Sequence, residues 1–336
     1  MKTERIQMDH GAGGRASHDL VAKTFMPALT NPILKKLNDS ALLNFQDVRL
    51  AISTDSYVVD PIFFPGGDIG SLAVHGTVND LAMRGAQPRY LSVGFILEEG
   101  LEIADLEKLL GSMAGAAREA GVQVVAADTK VVERGKADRI FINTAGVGIV
   151  APGVNIAGQN AREGDFVLIN GPVGDHGIAV LSTREGLSFQ TDIRSDSAPL
   201  NGLVSEMLEI SGNIHVLRDP TRGGVATALN EVANQSAVGI ELQESNLPVR
   251  PEVKAACEML GLDPLYVANE GKVLALVAPE DTDLVLNKMR QHPLGRESCI
   301  IGRVVYQHPG RVVLHTGIGG RRIVDMLSGE QLPRIC

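Results

Sequence analysis

Residues Ile69 to Arg84 place the tightest constraint on how this chain can fold. The stretch predicts a helix opened by Asp68 as its cap and stopped by Gly85 and Pro88. Ala73, Gly76, Thr77 and Ala82 keep much of its surface small, so another element must pack very close against it. Asn79 and Asp80 lie inside it, although both residue types are poor interior helix formers. They mark either a site that accepts a local penalty or a solvated face.

A chain of 336 residues fits roughly two domains on a prior of about 150 residues each. Hydrophobic residues make up 44% and aromatics only 4%, with no Trp, which suits an α/β or α+β enzyme rich in tight turns. The net charge of −9 and the lack of basic runs exclude long-range attraction to nucleic acid or to an anionic membrane. Cys257, Cys299 and Cys336 show no CxxC spacing and are odd in number, so they form no disulfide framework. The first residues lack an apolar signal core, and no stretch approaches the roughly 18–20 apolar residues of a membrane span. The chain reads as soluble and cytoplasmic.

In chain order, Gly11, Gly13 and Gly14 form a loop whose backbone N–H groups can approach a ligand, ahead of a helical pattern through Met26. No strand precedes the loop, so neither the dinucleotide fingerprint nor the P-loop applies. Arg49–Ser53 reads as a strand running into Asp55, Arg89–Leu97 as another, and Ile103–Ala117 as an amphipathic helix ended by Gly121. Val122–Ala127 reads as a buried strand leading to Asp128, Thr129 and Lys130, and Asp138–Val150 closes a first α/β domain. In the second half, Phe166–Ile169 leads through a Gly-rich turn to Asp175 and His176, which serve either as an acid/base pair or as capping groups. Asp219 to Gly224 opens a helix that resembles an anion-tolerant N-terminus. Helices follow over Pro251–Leu260 and Thr282–Met289, with strands over Ser298–Val304 and Arg311–His315. Cys257 and Cys299 read as core.

Asp55, Asp80, Asp128 and Asp219 recur just after strands or within the small-residue helix. Dispersed carboxylates of this kind suit Mg²⁺, which takes a few protein oxygens and completes its shell with phosphate and water. Combined with glycine-rich loops, they predict ATP-driven chemistry without a P-loop. The last residues, Pro333-Arg334-Ile335-Cys336, put a thiol on a tether. Extended from Asp325, it reaches roughly 40 Å, at about 3.3–3.6 Å per residue.

Ser53-Thr54-Asp55, Val78-Asn79-Asp80-Leu81-Ala82 with Gly85-Ala86-Gln87-Pro88, and Asp219-Pro220-Thr221-Arg222-Gly223-Gly224 resemble the motifs of the AIR synthetase superfamily. The terminal Pro-Arg-Ile-Cys, with His10-Gly11-Ala12-Gly13-Gly14, Phe63-Phe64-Pro65-Gly66-Gly67 and Asp128-Thr129-Lys130, is similar to its HypE family of hydrogenase maturation proteins. The resemblance runs over essentially the whole chain; Ala127 departs from it, standing where related sequences commonly have Gly.

The resemblance implies an α/β, two-domain PurM/AIR-synthetase-like fold. Residues 1–37 would form an N-terminal Gly-rich segment and helix, 38–150 an ATP-binding and dimerisation domain, 151–315 a second domain, and 316–336 a flexible tail. It implies a homodimer that uses ATP and Mg²⁺, with the carbamoyltransferase HypF and the HypC–HypD iron scaffold as partners. The implied reaction dehydrates a carbamoyl group on Cys336 to an S-cyano group, the source of the cyanide ligand of a [NiFe]-hydrogenase iron centre. Glu270 and Lys130 would remove protons from the carbamoyl nitrogen. Gly11, Gly13, Gly14, Asp55, Asn79, Asp80, Asp128, Thr129 and Asp219 would hold the nucleotide, the four aspartates doubling as metal ligands. Two alternatives remain at this stage: a selenophosphate synthetase-like phosphotransferase, which the absence of Cys before residue 257 disfavours, and a non-catalytic ATP-binding dimeric scaffold.

Overall fold

The computed structural model describes residues 5–29, 31–185, 193–329 and 332–336; Gln331 of the expected tail lies outside them. After the glycine loop come α1 (Arg15–Leu20) and, beyond a π-type turn, α2 (Met26–Leu29). The first domain then runs β1 (Ala41–Phe45), β2 (Val48–Tyr57), β3 (Phe63–Phe64), β4 (Gly67–Asp68), α3 (Ile69–Ala82), β5 (Ala86–Glu98), α4 (Ile103–Ala120), β6 (Gln123–Val132) and β7 (Ile140–Val150). Its main sheet has the order β1-β2-β7-β5-β6, antiparallel except for the parallel β5–β6 pair.

The small-residue helix is α3, and the sheet is what packs close against it. A Cβ on Gly76 would sit 2.3 Å from the Tyr57 hydroxyl of β2, and one on Gly146 of β7 would sit 2.8 Å from Thr77 of α3. Thr77 and Thr144 share a hydrogen bond of 2.5 Å across this seam. Asp68 caps α3 as expected, its carboxylate accepting from the Ser71 amide at 2.9 Å. Ile69, Leu72, Val74, Val78 and Leu81 are fully buried, each stabilising the domain by about 1.5–3 kcal/mol.

α3 and α4 cover one face of this sheet, and the other face stays open. Tyr90, Ile96, Val124, Val125 and Val131 are all exposed there or along β6. The buried strand expected at Val122–Ala127 is therefore an edge strand, exposed over almost its whole length. Among the described residues, no layer covers its exposed apolar side chains.

The second domain runs β8 (Phe166–Ile169), α5 (Asp175–Arg184), α6 (Asn201–Ile210), β9 (Ile214–Arg218), α7 (Gly224–Ser236), β10 (Gly239–Gln243), α8 (Pro251–Leu260), β11 (Leu274–Val277), α9 (Thr282–Gln291), β12 (Cys299–Val305), β13 (Arg311–His315) and β14 (Arg321–Val324). Its sheet has the order β14-β13-β10-β12-β8-β11-β9. The segment expected as tail from residue 316 first contributes β14, which pairs with β13 from Val312↔Val324 to His315↔Arg321. Cys257 is buried as expected, which pushes its thiol up to about 11. Cys299, expected in the core, is only half-buried on β12 and donates to the Asn246 carbonyl at 3.6 Å.

Candidate active site

The two domains meet over a group of carboxylates. Ser53 on β2 donates to Asp80 Oδ2 at 2.6 Å, fixing the aspartate carried in the last turn of α3. Asp55, two residues further along β2, accepts from the Ser56 amide at 2.7 Å. Opposite them, the Asp219–Pro220 turn beyond β9 is tied to the 268–272 segment: the backbone and side-chain N–H groups of Asn269 both donate to the Pro220 carbonyl, at 3.1 and 3.0 Å. That segment carries Glu270, which is 3% exposed. Its backbone is held from behind by Asp196, whose carboxylate accepts from the amides of Glu270 and Gly271 and from Lys272 Nζ.

Burial first, then mutual repulsion, raises the proton affinity of these acids. Asp80 lies well above the usual carboxylate range, through burial and then Asp219, Asp55 and Asp39. Asp219 is pushed up to about 7 by burial and Asp39, and Asp55 is raised by burial against the pull of Arg222. Glu270 is also raised well above its ordinary value, by burial and then by Asp219. Its Oε1 has no hydrogen-bond partner among the described residues.

The tail enters this site. The Val58 amide donates to the Cys336 carbonyl at 3.1 Å and the Asp60 amide to the Arg334 carbonyl at 3.2 Å, the alternation of a short added strand. Ile335, 2% exposed, joins the first domain's core, and Cys336 packs against it. Burial pushes the Cys336 thiol up; Arg222 opposes the rise, while Glu270 and Asp55 add to it. The strongest influence raising Arg222 above its ordinary value is Cys336 itself. The thiol thus lies within electrostatic reach of a buried carboxylate and a guanidinium.

Cys336, Glu270, Asp55, Asp80 and Asp219 come together as the sequence implied. The glycine loop joins them through Arg222, whose guanidinium donates to the Gly11 carbonyl at 2.9 Å and whose Cβ would lie 2.7 Å from one on Gly13. Gly14 packs instead against the Leu327 carbonyl. Asn79, expected at the cofactor, spends its amide within the protein: it donates to the carbonyls of Ala198 and Glu270 and accepts from the Leu200 amide. It positions Glu270 from beneath. Asp128, Thr129 and Lys130 stand apart from the cluster on exposed β6, with Lys130 Nζ 2.7 Å from Asp128 and its side chain 69% exposed. Among the described residues, no group of three His, Cys, Asp or Glu side chains is arranged to hold a metal unaided. A set of mutually repelling acids without a closed cage fits Mg²⁺ delivered with phosphate oxygens rather than a resident ion.

No individual role was read from the sequence for Arg222 or Arg184, and His176 was weighed only as half of an acid/base pair or as a capping group. Arg222 sits inside a motif read as a helix N-terminus and as part of the family resemblance, with no role given to its side chain. The Asp175–His176 question resolves into two separate tasks. Asp175 pairs with Arg250 at 3.1 Å, while buried His176 spans Ser195 Oγ and the Ile335 carbonyl, 2.8 Å each, edge-on to Phe64. Only a fold that brings the tail to α5 could reveal that partner.

The family models of AIR synthase related proteins match this chain twice, the N-terminal domain over residues 37–150 and the C-terminal domain over 162–315. The carbamoyl dehydratase HypE of Cupriavidus necator is 56% identical across 100% of this chain and 96% of its own length; that of Escherichia coli K12 is 46% identical across 98% and 99%. Among solved structures, a HypE–HypF complex superimposes with a TM-score of 0.88 at 50% identity, covering 92% of this chain and 99% of that one. A HypE structure in complex with ATP gives 0.83 at 52% identity, covering 99% and 100%. Among the described residues, no helix is long and apolar enough to cross a membrane. By family models, full-length relatives and fold alike, this chain belongs to the carbamoyl dehydratase HypE family of AIR synthase related proteins.

Proposed function

We propose that this protein dehydrates a carbamoyl group carried on its own Cys336, using ATP, to give S-cyanocysteine. The observation that carries the reading is the docked thiol, set against buried Glu270, with its free Oε1, and against Arg222. An S-carboxamide loses its oxygen only if that oxygen becomes a leaving group. ATP supplies this by phosphorylating it, so that the oxygen departs as phosphate and the two nitrogen protons leave as the C≡N bond forms. Asp55, Asp80 and Asp219 are the residues that would hold Mg²⁺ beside the nucleotide phosphates.

The protein's own part is positioning and proton transfer. Glu270, its proton affinity raised by burial and then by Asp219, is placed to accept a proton from the carbamoyl nitrogen and pass it on. Arg222 would offset negative charge that develops at the carbamoyl oxygen. A second copy would cover the apolar open face around β6, and we place the homodimer contact there. Lys130 lies on that face, so its expected role in proton removal calls for an interface rather than the isolated chain. A HypF-like carbamoyltransferase would load the thiol, and a HypC–HypD scaffold would take the cyano group. We place the free tail after Val324, where the second sheet ends.

Intact-mass analysis tests the proposal, with the protein, ATP, Mg²⁺, carbamoyl phosphate and the carbamoyltransferase together. A carbamoyl adduct should form and then lose about 18 Da, the mass of water, in that order. An adduct that persists with ATP present, or one that forms equally on Cys336→Ala, sinks the reading.

A further inference from the structure

Helix α5 presents two side chains to the tail, one at each end, and both address the main chain. At its last residue, Arg184 Nη1 donates to the Pro333 carbonyl at 2.5 Å and Nη2 to the Arg334 carbonyl at 2.7 Å. The same guanidinium reaches the Asp60 carbonyl through Nε at 2.7 Å and Nη2 at 2.5 Å. Near its first residue, His176 Nε2 meets the Ile335 carbonyl at 2.8 Å. The tail therefore runs antiparallel to α5. Two α5 residues eight apart are separated by about 12 Å along the axis. An extended step from Pro333 to Ile335 covers about 7 Å, and the reach of the arginine supplies the rest.

We propose that Arg184 is a positioning residue that sets how deep the tail seats, and so where the Cys336 sulfur stops relative to Glu270. This rests on the dehydration reading above. A planar fork with several donors can bind three carbonyls at once; a lysine has one nitrogen and no fixed plane. One of those carbonyls, Asp60, belongs to the first domain, so the fork fixes the tail against both domains. Arg334 adds the complementary lock, its own guanidinium pairing with Asp60 at 2.8 Å and with Asp138. Arg334 holds φ at 48°, in the left-handed region, a conformation that the bonds around it must keep in place. Because the bonds Arg184 makes to the tail go to main-chain carbonyls, it grips the tail whether the thiol is free, carbamoylated or cyanated. On this proposal loading takes place with the tail withdrawn and makes no use of this fork. Arg184 therefore governs dehydration and not loading.

The test uses the full chain with Arg184→Ala and Arg184→Lys. Under single-turnover conditions with the carbamoyltransferase, carbamoyl phosphate, ATP and Mg²⁺, intact mass separates the two steps. Carbamoyl loading should keep its wild-type rate, and water loss should slow by about tenfold or more in Arg184→Ala, with partial recovery in Arg184→Lys. Trypsin gives a second readout independent of the chemistry, since cleavage after Arg334 releases Ile335-Cys336. Docked wild-type tail should resist it, and both variants should be cut faster, Arg184→Ala the more so. Water loss at the wild-type rate, loading slowed in parallel with it, or unchanged trypsin cleavage in Arg184→Lys would each overturn the proposal. If wild-type protein loads but never loses water, the dehydration reading fails, while the trypsin arm still decides whether Arg184 holds the tail.

Discussion

Asp219→Asn should make the metal-free protein more stable, by a margin that opens above about pH 4 and levels off above about pH 7. Asp219 rises from 3.8 to about 7 on folding, so between those values the folded chain holds a proton that the unfolded chain has lost. Stability then falls as pH rises, because the native state must either keep that proton or bury a repelled charge. At about 1.4 kcal/mol per tenfold step, the cost approaches about 4 kcal/mol at pH 8 and stays under about 1 kcal/mol at pH 4. Asn fills nearly the same volume and never ionises. In EDTA, urea denaturation midpoints should coincide within a few tenths molar at pH 4 and separate in favour of Asp219→Asn as pH climbs to 8, by about 1 M or more for an m-value of about 3 kcal/mol/M. Asp55, Asp80 and Glu270 shift in the same direction, so the wild type should show an even steeper loss than Asp219 alone explains. Adding Mg²⁺ with ATP should reverse the order at pH 8, since the ligand then stabilises only the wild type. An Asp219→Asn protein that is less stable than wild type at pH 8 without metal, or a difference that ignores pH, would refute the electrostatic account of this site.

Three further outcomes bear on the same geometry. Glu270→Gln should accept carbamoyl and bind ATP yet lose water about 10²–10⁴-fold more slowly, by the intact-mass assay; normal turnover removes Glu270 from proton transfer. Docked Cys336, its thiol pushed up by burial, should react with iodoacetamide at pH 8 well below the rate of a short peptide ending in the same four residues, and urea should erase the difference. Equal rates in native buffer would show that the tail does not seat. Ile96→Glu on β5, on the open face beside Lys130, should yield monomers in sedimentation velocity while leaving the fold intact by circular dichroism, and an unchanged dimer would move the contact elsewhere.

Much of the site was legible because its residues break local rules. An aspartate inside a small-residue helix, carboxylates following apolar runs, and a thiol on a proline-bearing end each stand out from their surroundings. The misreadings have physical causes as well. Asn79 breaks the same helical rule as Asp80, but its amide can both donate and accept, so it could be spent on the backbones of Ala198, Leu200 and Glu270. Periodicity placed a strand at Val122–Ala127 but could not tell a central strand from an edge, because the apolar face of β6 looks the same whether it is covered by this chain or awaits a copy. Arg222 and His176 were in view as letters, and their partner is a segment more than a hundred residues away.

The contacts that seat the tail were illegible for a deeper reason. Arg184, His176, Val58 and Asp60 all engage main-chain groups of residues 333–336, which every sequence possesses. Recognition through carbonyls leaves the Cys336 sulfur unengaged by the grip, and under the proposed reaction, where that sulfur would carry different groups in turn, this neutrality would be needed. A pocket built around the thiol would bind one of its states best and resist the others. Holding the backbone instead lets a single docking geometry serve successive chemical states, with discrimination left to Glu270, Arg222 and the carboxylates beyond them.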